Sequence, residues 1–374
     1  MNKHLETTLA QIGNRLDDKT GTINTPIYLS TAYRHTGIGE STGYDYARTG
    51  NPTREVLENS IALLEEGEKG FACSSGMAAI QTVFSLFEQG DEIICSSDLY
   101  GGTYRLFEQG WKKWGIRFTY VDPRQFEQVE NAITESTKAI FIETPTNPLM
   151  QEVSIQELAR ISKRHNLLLI VDNTFLTPLL QQPLVDGADV VIHSASKYLG
   201  GHNDLIAGLI VAKGDQLCEQ IGYYHNGIGG TLPAFDSWLL IRGMKTLSLR
   251  MQKHQENAKA IVRYLEQHEL VTDVLYAGKG GMLSFRIFDE NMVNPFLQQL
   301  QLISFAESLG GIESLMTYPA TQTHMDIPEE IRVANGVCNR LLRFSVGIEH
   351  HEDLIDDLEQ AFAKTAELVK EESV

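Results

Sequence analysis

The chain has 374 residues, 42% of them hydrophobic and 21% charged, which is typical of a globular protein long enough for two domains and a large core. Its formal net charge of −18 argues against binding to nucleic acid or to an anionic membrane, because both require basic patches. A phosphate or carboxylate ligand would therefore need a local site that acts against the overall field of the protein.

The cysteine content and the hydropathy pattern predict a cytoplasmic protein. The four cysteines form no C-x-x-C pair, which argues against a disulfide framework and favours a reducing compartment. The N-terminal sequence MNKHLETTLAQIG has no uninterrupted apolar run, so it does not resemble a signal peptide. No stretch approaches the roughly 18 apolar residues of a membrane span.

Residues 1–48 are predicted to form an N-terminal arm. Leu5, Leu9 and Ile12 can line one face of a short helix, and the chain beyond them is rich in Gly, Thr, Tyr and Pro without a sustained period. A segment of this length without a core of its own usually packs against something else, and we expect another subunit here.

The arm ends in the stretch YDYARTGNPT at residues 44–53. Tyr46 and Arg48 are two positions apart, so in an extended segment their side chains point the same way. Taken alone, they would also fit an ordinary surface loop. Asn51-Pro52 is a turn signal, after which a helix is predicted over residues 53–66.

From Gly70 onward, strands and helices alternate. Strands are predicted at residues 71–73, 92–95, 116–121, 139–143, 167–172, 190–192 and 206–212, with helices at residues 78–87, 103–114, 125–133 and 155–165. Strands separated by helices imply right-handed crossovers and a mostly parallel sheet. The predicted fold class is therefore α/β.

Two loops that follow strands in this region could contact a ligand. Gly76 and Met77 follow two serines at the start of a helix, where free N–H groups and the helix dipole favour an anion. A plain helix cap is the alternative. Tyr100 lies beside two glycines, where its ring could stack on a planar group or simply be a half-buried loop residue.

Two further strands end in residues that suit one cofactor. The run LLLIVD ends in Asp172, and the run Val190-Val191-Ile192 leads to HSASKYLGG, which contains Lys197. An acid at the carboxyl end of a parallel strand points into the crevice where open α/β sheets bind ligands. A lysine in an apolar pocket can lose its proton and form a Schiff base with an aldehyde, although a lone lysine is more often solvated. The pair suits pyridoxal 5'-phosphate (PLP), because the acid would keep the pyridine nitrogen protonated.

The segment 227–230, GIGG, indicates a domain boundary, so we predict domains over residues 49–232 and 233–374. A long helix is predicted over residues 234–268, bent at Gly243. The smaller domain that follows is predicted to have strands at 271–276, 282–288 and 341–348, with helices at 293–300 and 354–369.

The smaller domain contains a second group of candidates. Glu307 and Ser308 lie in a glycine-containing loop, Thr323 follows in the segment PATQTH, and Arg343 lies in the last predicted strand. An arginine can bind a carboxylate through two parallel hydrogen bonds. Seen alone, Arg343 would be a solvent-facing strand residue and Glu307 a solvated loop acid.

The sequences VDNTF at 171–175 and HSASKYLGGH at 193–202 resemble the trans-sulfuration family of PLP-dependent enzymes. The resemblance runs from about Thr25 to Glu349. It implies PLP fold type I, the aspartate-aminotransferase-like fold, with a mostly parallel sheet in a large domain and a smaller α/β C-terminal domain. It also implies a homotetramer of dimers whose subunits complete each other's sites.

The resemblance implies a role for each candidate residue. The residues implied to bind the cofactor are Tyr46, Arg48, Gly76, Met77, Tyr100, Asp172, Ser194, Ser196 and Lys197. Tyr46 and Arg48 would reach the PLP phosphate of the neighbouring subunit, while Lys197, Tyr100 and Asp172 would be catalytic. The residues implied to bind the substrate are Glu307, Ser308, Thr323 and Arg343, with Arg343 on the α-carboxylate.

The implied reaction is γ-replacement in methionine biosynthesis. L-Cysteine or sulfide would replace the acyloxy group at Cγ of an O-acyl-L-homoserine. Elimination by a cystathionine β- or γ-lyase is the alternative, and the sequence does not distinguish acetyl from succinyl. An acid at Glu307 resembles γ-synthases and γ-lyases, whereas bacterial β-lyases tend to have an aromatic residue there.

Two other classes of protein fit less well. We expect no metal site, because the eleven histidines include no H-E-x-x-H and no clustered Cys/His spacing. A nicotinamide dehydrogenase would share the α/β pattern, but the chain contains no G-x-G-x-x-G fingerprint.

Overall fold

The computed structural model describes residues 3–372, with side chains described as far as residue 369. Residues 1–2 of the predicted arm and 373–374 of the predicted C-terminal domain lie outside the described residues. No helix in the described range is long and apolar enough to cross a bilayer.

The larger of two sheets has seven strands in the order β1-β7-β6-β5-β4-β2-β3. They are β1 (Lys69–Cys73), β2 (Glu92–Ser96), β3 (Arg117–Val121), β4 (Thr137–Glu143), β5 (Leu168–Asp172), β6 (Val190–Ser194) and β7 (Gly208–Ala212). The strands from β6 to β3 are parallel, which confirms the predicted mostly parallel sheet. β7 runs antiparallel to β6 and β1, because the connection from β6 contains no helix that could carry the chain back across the sheet.

The helices of this region are α1 (Leu5–Ala10), α2 (Pro52–Leu64), α3 (Gly76–Phe84), α4 (Gly101–Arg105), α5 (Phe126–Ala132), α6 (Ile155–Arg164), α7 (Thr177–Leu180) and α8 (Asp215–Ile228). The prediction of one helix over 103–114 is wrong. α4 is followed by a π-helical turn at Leu106–Gly110 and a 3₁₀ turn at Trp111–Trp114, and the second change occurs where Gly110 leaves the helical conformation. α8 was not predicted, because two internal glycines weaken its helical pattern.

Apolar side chains of the parallel strands are buried on both faces of the sheet. Leu169 and Val171 of β5 lie in one core, and Ile170 lies in the other. Leu9 and Ile12 of the arm are buried in the first of these cores. The start of the arm therefore packs against its own subunit, which the sequence analysis did not anticipate.

The long helix predicted over residues 234–268 is in fact two helices, α9 (Ala234–Met244) and α10 (Leu247–Leu265). Gly243 lies just before the break, and a Cβ there would be 2.3 Å from the carbonyl oxygen of Gly200. Arg250 of α10 donates to the carbonyl oxygens of Tyr198, at 2.7 Å, and Gly243, at 2.8 Å. These hydrogen bonds connect the region of the break between α9 and α10 to the segment that contains Lys197.

The second sheet has five strands in the order β10-β11-β12-β9-β8. They are β8 (Val271–Tyr276), β9 (Met282–Ile287), β10 (Ser304–Phe305), β11 (Leu315–Thr317) and β12 (Leu341–Ser345). Its helices are α11 (Val293–Gln299), α12 (Glu329–Ala334) and α13 (His351–Glu372). β10, β11 and α12 are too short to give a sequence period and were not predicted. The domain boundary between residues 232 and 233 stays a prediction.

Candidate active site

The carboxyl ends of β5 and β6 open into a cavity of about 730 Å³. Residues from both sheets and their loops line it. The predicted site residues that line it are Gly76, Met77, Tyr100, Asp172, Ser194, Ser196, Lys197, Glu307, Ser308, Thr323 and Arg343. Tyr46 and Arg48 do not line it.

Lys197 lies just beyond β6 with its side chain partly buried. Its Nζ donates to Ser308 Oγ at 3.3 Å. Burial, assisted by the nearby guanidinium of Arg343, lowers the pKa of Lys197 to about 8, and the carboxylate of Glu307 opposes this shift. A substantial share of the amine is therefore neutral near pH 8, as attack on an aldehyde requires.

Asp172 ends β5 and faces the same cavity. Its Oδ1 accepts hydrogen bonds from the Thr174 amide at 3.0 Å and the Thr174 hydroxyl at 2.5 Å. Burial raises the pKa of Asp172, whereas these two bonds and nearby His193 lower it. Oδ2 takes no part in the bonds from Thr174, so it could accept from a protonated ring nitrogen.

An anion cradle lies at the start of α3. Ser75 is the N-cap, and its hydroxyl accepts from the Ala78 amide at 3.0 Å. The first N–H groups of a helix have no partner within it, so those of Gly76 and Met77 can bind an anion. A Cβ at Gly76 would lie 2.9 Å from Ser194 Cβ, so glycine permits this close approach. The cradle, the Lys197 amine and the Asp172 carboxylate match the phosphate, aldehyde and ring nitrogen of PLP, and the residues therefore fit this cofactor.

Arg343 lines the cavity together with the other residues that are predicted to bind the substrate. It lies in the middle strand β12 and is only 1% exposed, so its interpretation as a solvent-facing strand residue is wrong. Nη1 donates to Asn147 Oδ1 at 3.0 Å, and Nη2 donates to the Ser308 carbonyl oxygen and to Thr317 Oγ1, each at 2.9 Å. Burial lowers the pKa of Arg343 to about 10, so the group stays charged at neutral pH.

Tyr100 and Thr323 come together because of the glycine that follows Tyr100. A Cβ at Gly101 would lie 2.0 Å from the carbonyl oxygen of Thr323, so only glycine allows this contact. The Thr323 hydroxyl lies 2.9 Å from His324 Nδ1. Burial raises the pKa of Tyr100, and the charge of Glu307 adds to the effect.

Two residues that the sequence analysis missed also line the cavity. Asn147 accepts a hydrogen bond from Arg343. Its position between two prolines in the sequence TPTNP could have marked it as a candidate site residue. Glu143 is an acid at the end of a parallel strand, as Asp172 is, and the same reasoning applied to β4 would have found it.

Tyr46 and Arg48 are exposed and lie outside the cavity of their own subunit. The Arg48 guanidinium carbon lies 5.8 Å from the centre of the Tyr46 ring, and Nη1 donates to the Asn226 carbonyl oxygen at 2.7 Å. Their predicted contact with a neighbouring subunit's cofactor stays a prediction.

Known proteins resemble this chain over nearly its whole length. The family model of the Cys/Met metabolism PLP-dependent enzymes matches residues 6–363. The cystathionine gamma-synthase/O-acetylhomoserine (thiol)-lyase of Bacillus subtilis is 66% identical over 367 residues, which cover 98% of each chain. The cystathionine gamma-synthase of Haemophilus influenzae is 62% identical over 360 residues, covering 96% of this chain and 98% of the relative.

A solved structure supports the same relationship at lower identity. The crystal structure of cystathionine gamma synthase from Xanthomonas oryzae pv. oryzae, in complex with aminoacrylate and cysteine, has a TM-score of 0.95 and 37% sequence identity. The similarity covers 98% of this chain and 99% of that chain.

Proposed function

The chain belongs to the Cys/Met metabolism PLP-dependent enzymes, and on that premise we propose that it acts as a cystathionine γ-synthase. It is a PLP-dependent transferase of the trans-sulfuration family, in methionine biosynthesis. The reaction is γ-replacement: the Cγ–O bond of an O-acyl-L-homoserine breaks and the acyloxy group leaves as a carboxylate, while the sulfur of L-cysteine loses its proton and forms the new bond to Cγ. Sulfide is the second thiol that we propose, since the Bacillus subtilis relative is also named an O-acetylhomoserine (thiol)-lyase.

PLP, when bound, supplies an electron sink for charge that develops on the substrate carbons. The residues proposed to hold it are Gly76, Met77, Tyr100, Asp172, Ser194, Ser196 and Lys197. Tyr100 would cover the ring, and Asp172 would accept a hydrogen bond from the ring nitrogen. The pKa of Lys197, lowered to about 8, suits an amine that takes up and returns protons near neutral pH.

The substrate would be oriented by the opposite wall of the cavity. Arg343 is charged and donates a hydrogen bond to Asn147 that orients its guanidinium, which suits a residue that binds an α-carboxylate. The Lys197 amine lies 3.3 Å from Ser308 Oγ, and the Ser308 carbonyl oxygen accepts from Arg343. Ser308 thus contacts both the Lys197 amine and the Arg343 guanidinium, so a substrate bound at Arg343 would lie near that amine. Glu307 is available to pair with the amino group of cysteine.

The observation that carries the proposal is that one cavity brings together the weakly basic amine of Lys197 and the buried guanidinium of Arg343. The 66% and 62% identity to proteins named as γ-synthases favours replacement over the lyase alternative.

The test compares replacement with elimination in the purified protein. We expect cystathionine to form from cysteine with O-acetyl- or O-succinyl-homoserine, and homocysteine to form when sulfide replaces cysteine. Incubation with cystathionine alone should release little pyruvate or 2-oxobutyrate. Rapid breakdown of cystathionine without synthesis would contradict the proposal and favour a lyase.

We also propose a homotetramer built from dimers, in a reducing cytoplasmic compartment. Tyr46 and Arg48 are exposed outside their own cavity, as residues that serve a neighbouring subunit would be. Apolar side chains of the same arm, Ile23 and Leu29, are 72% and 77% exposed, which suits a segment that packs on another chain. All four cysteines are unpaired, which supports the reducing compartment.

A further inference from the structure

Glu143 is a buried acid in the cavity to which the proposed reaction gives no role. It ends β4 and is 8% exposed. Its neighbour across the parallel ladder is Asp172, directly in register. Two carboxyl groups therefore lie side by side where the strands open into the cavity, and both line it.

Glu143 makes one contact that reaches the reacting side of the cavity. Its Oε2 accepts a hydrogen bond from the backbone N–H of Tyr100 at 3.0 Å. Tyr100 precedes α4, and its own side chain makes no capping bond there. Glu143 thus fixes the backbone from which the Tyr100 ring projects into the cavity.

The groups around Glu143 make a negative charge there unfavourable. Asp172 on β5, Asp98 after β2 and the phenol of Tyr100 are acidic groups near Glu143, and Arg343 of β12 is the nearby cation. Burial, with the adjacent charge of Asp172, raises the pKa of Glu143 well above its ordinary value. Burial likewise raises the pKa of Asp98 to about 6.

The hydrogen bonds decide which of the two neighbouring carboxyl groups keeps its charge. Two negative charges on neighbouring strand positions in a buried site repel each other, so ionising both carboxyl groups is unfavourable. Asp172 accepts two bonds from Thr174, and these favour its ionised form. Glu143 accepts the one bond from Tyr100, which a neutral carboxyl oxygen can also accept.

We propose that Glu143 is a positioning residue that works as a neutral, protonated acid: it holds Tyr100 through its oxygen and leaves the single negative charge of the pair on Asp172. This inference rests on the proposed function, because Asp172 needs that charge to keep a PLP ring nitrogen protonated. If Glu143 were ionised, the single proton of the pair would instead lie on Asp172, which would then carry no charge.

The first test uses conservative and disruptive variants of the holoenzyme. Glu143→Gln is neutral and keeps an oxygen that can accept from Tyr100, so kcat should stay within about threefold of wild type. Glu143→Ala removes the acceptor and should lower kcat by about three- to tenfold, the effect of one hydrogen bond. KM for the O-acyl-homoserine should change by less than about twofold in both, because Arg343 is untouched. Glu135→Gln, at an exposed acid, controls for the loss of a formal charge.

The second test reads the proton itself and does not depend on turnover. At pH 7.5, the infrared spectrum of wild type minus that of Glu143→Gln should contain the C=O stretch of a protonated carboxylic acid. The corresponding difference for Glu135→Gln should contain carboxylate bands instead. This measurement remains decisive if Glu143→Ala does not fold.

Two outcomes would overturn the inference. The first is a carboxylate signal from Glu143, and the second is a loss of kcat in Glu143→Gln as large as that in Glu143→Ala. A protonated-acid band in a protein without γ-replacement activity would refute the proposed function and leave the protonation of Glu143 standing.

Discussion

Replacing Glu307 should affect the reaction with cysteine and the reaction with sulfide to different extents. Glu307 lines the cavity, and its carboxylate raises the pKa of both Lys197 and Arg343. It is thus an effective negative charge within the site. Cysteine carries an amino group that this charge can bind, and sulfide carries none. Glu307→Ala should therefore impair the reaction with cysteine more than the reaction with sulfide.

The magnitude follows from the kind of contact and from its exposure. A hydrogen bond to a charged group is worth roughly 1.5–3 kcal/mol, which corresponds to about 10- to 150-fold in kcat/KM. Because Glu307 is exposed to solvent, screening places the effect at the lower end. We expect the ratio of kcat/KM for cysteine to that for sulfide to fall by about tenfold.

The assay measures kcat/KM for each thiol at a saturating concentration of the O-acyl-homoserine. Loss of the Glu307 charge also removes an effect that raises the pKa of Lys197, but this change acts on both thiols and cancels in the ratio. Glu307→Gln serves as the control, since it keeps the size of the side chain and removes its charge. Equal losses with cysteine and sulfide would refute the assignment of Glu307 to the second substrate and would strengthen the lyase alternative.

Three further predictions concern the cofactor. The purified protein should be yellow, and borohydride should fix PLP to the peptide that contains Lys197. The variant Lys197→Ala should still bind PLP but lose at least roughly 10²–10⁴-fold in turnover. A folded wild-type protein that takes up no PLP would contradict this prediction. The pKa of Lys197 is lowered to about 8, and only the neutral amine attacks an aldehyde. The rate of PLP uptake by the apoenzyme should therefore rise up to about pH 8 and then level off. A rate that still rises at higher pH would indicate a lysine with an ordinary pKa. Mixing inactive Arg48→Ala and Lys197→Ala subunits should restore activity, since one site of each mixed dimer would keep both wild-type residues; verified mixed dimers without activity would show that the arm serves its own subunit.

The sequence by itself predicted the strands of the large sheet and the pair Asp172 and Lys197 that is proposed to bind the cofactor. Buried parallel strands produce continuous apolar runs, and polar residues that end such runs gather at one edge of the sheet. For that reason Asp172 and Lys197 could be placed in one site from the strand pattern alone. The family resemblance added roles for residues such as Gly76 and Arg343, whose local sequence has simpler explanations.

The tertiary structure decided the features that depend on contacts between distant segments. Arg343 is buried because β12 is the middle strand of its sheet and Asn147 reaches it from the loop after β4, and neither fact leaves a local pattern. The helix break after Gly243 depends on the approach of Gly200 in the same way. Glu143 becomes a partner of Asp172 only once β4 and β5 pair in register. Local propensity and periodicity describe a residue and its near neighbours, whereas burial and pKa depend on groups that only folding brings together.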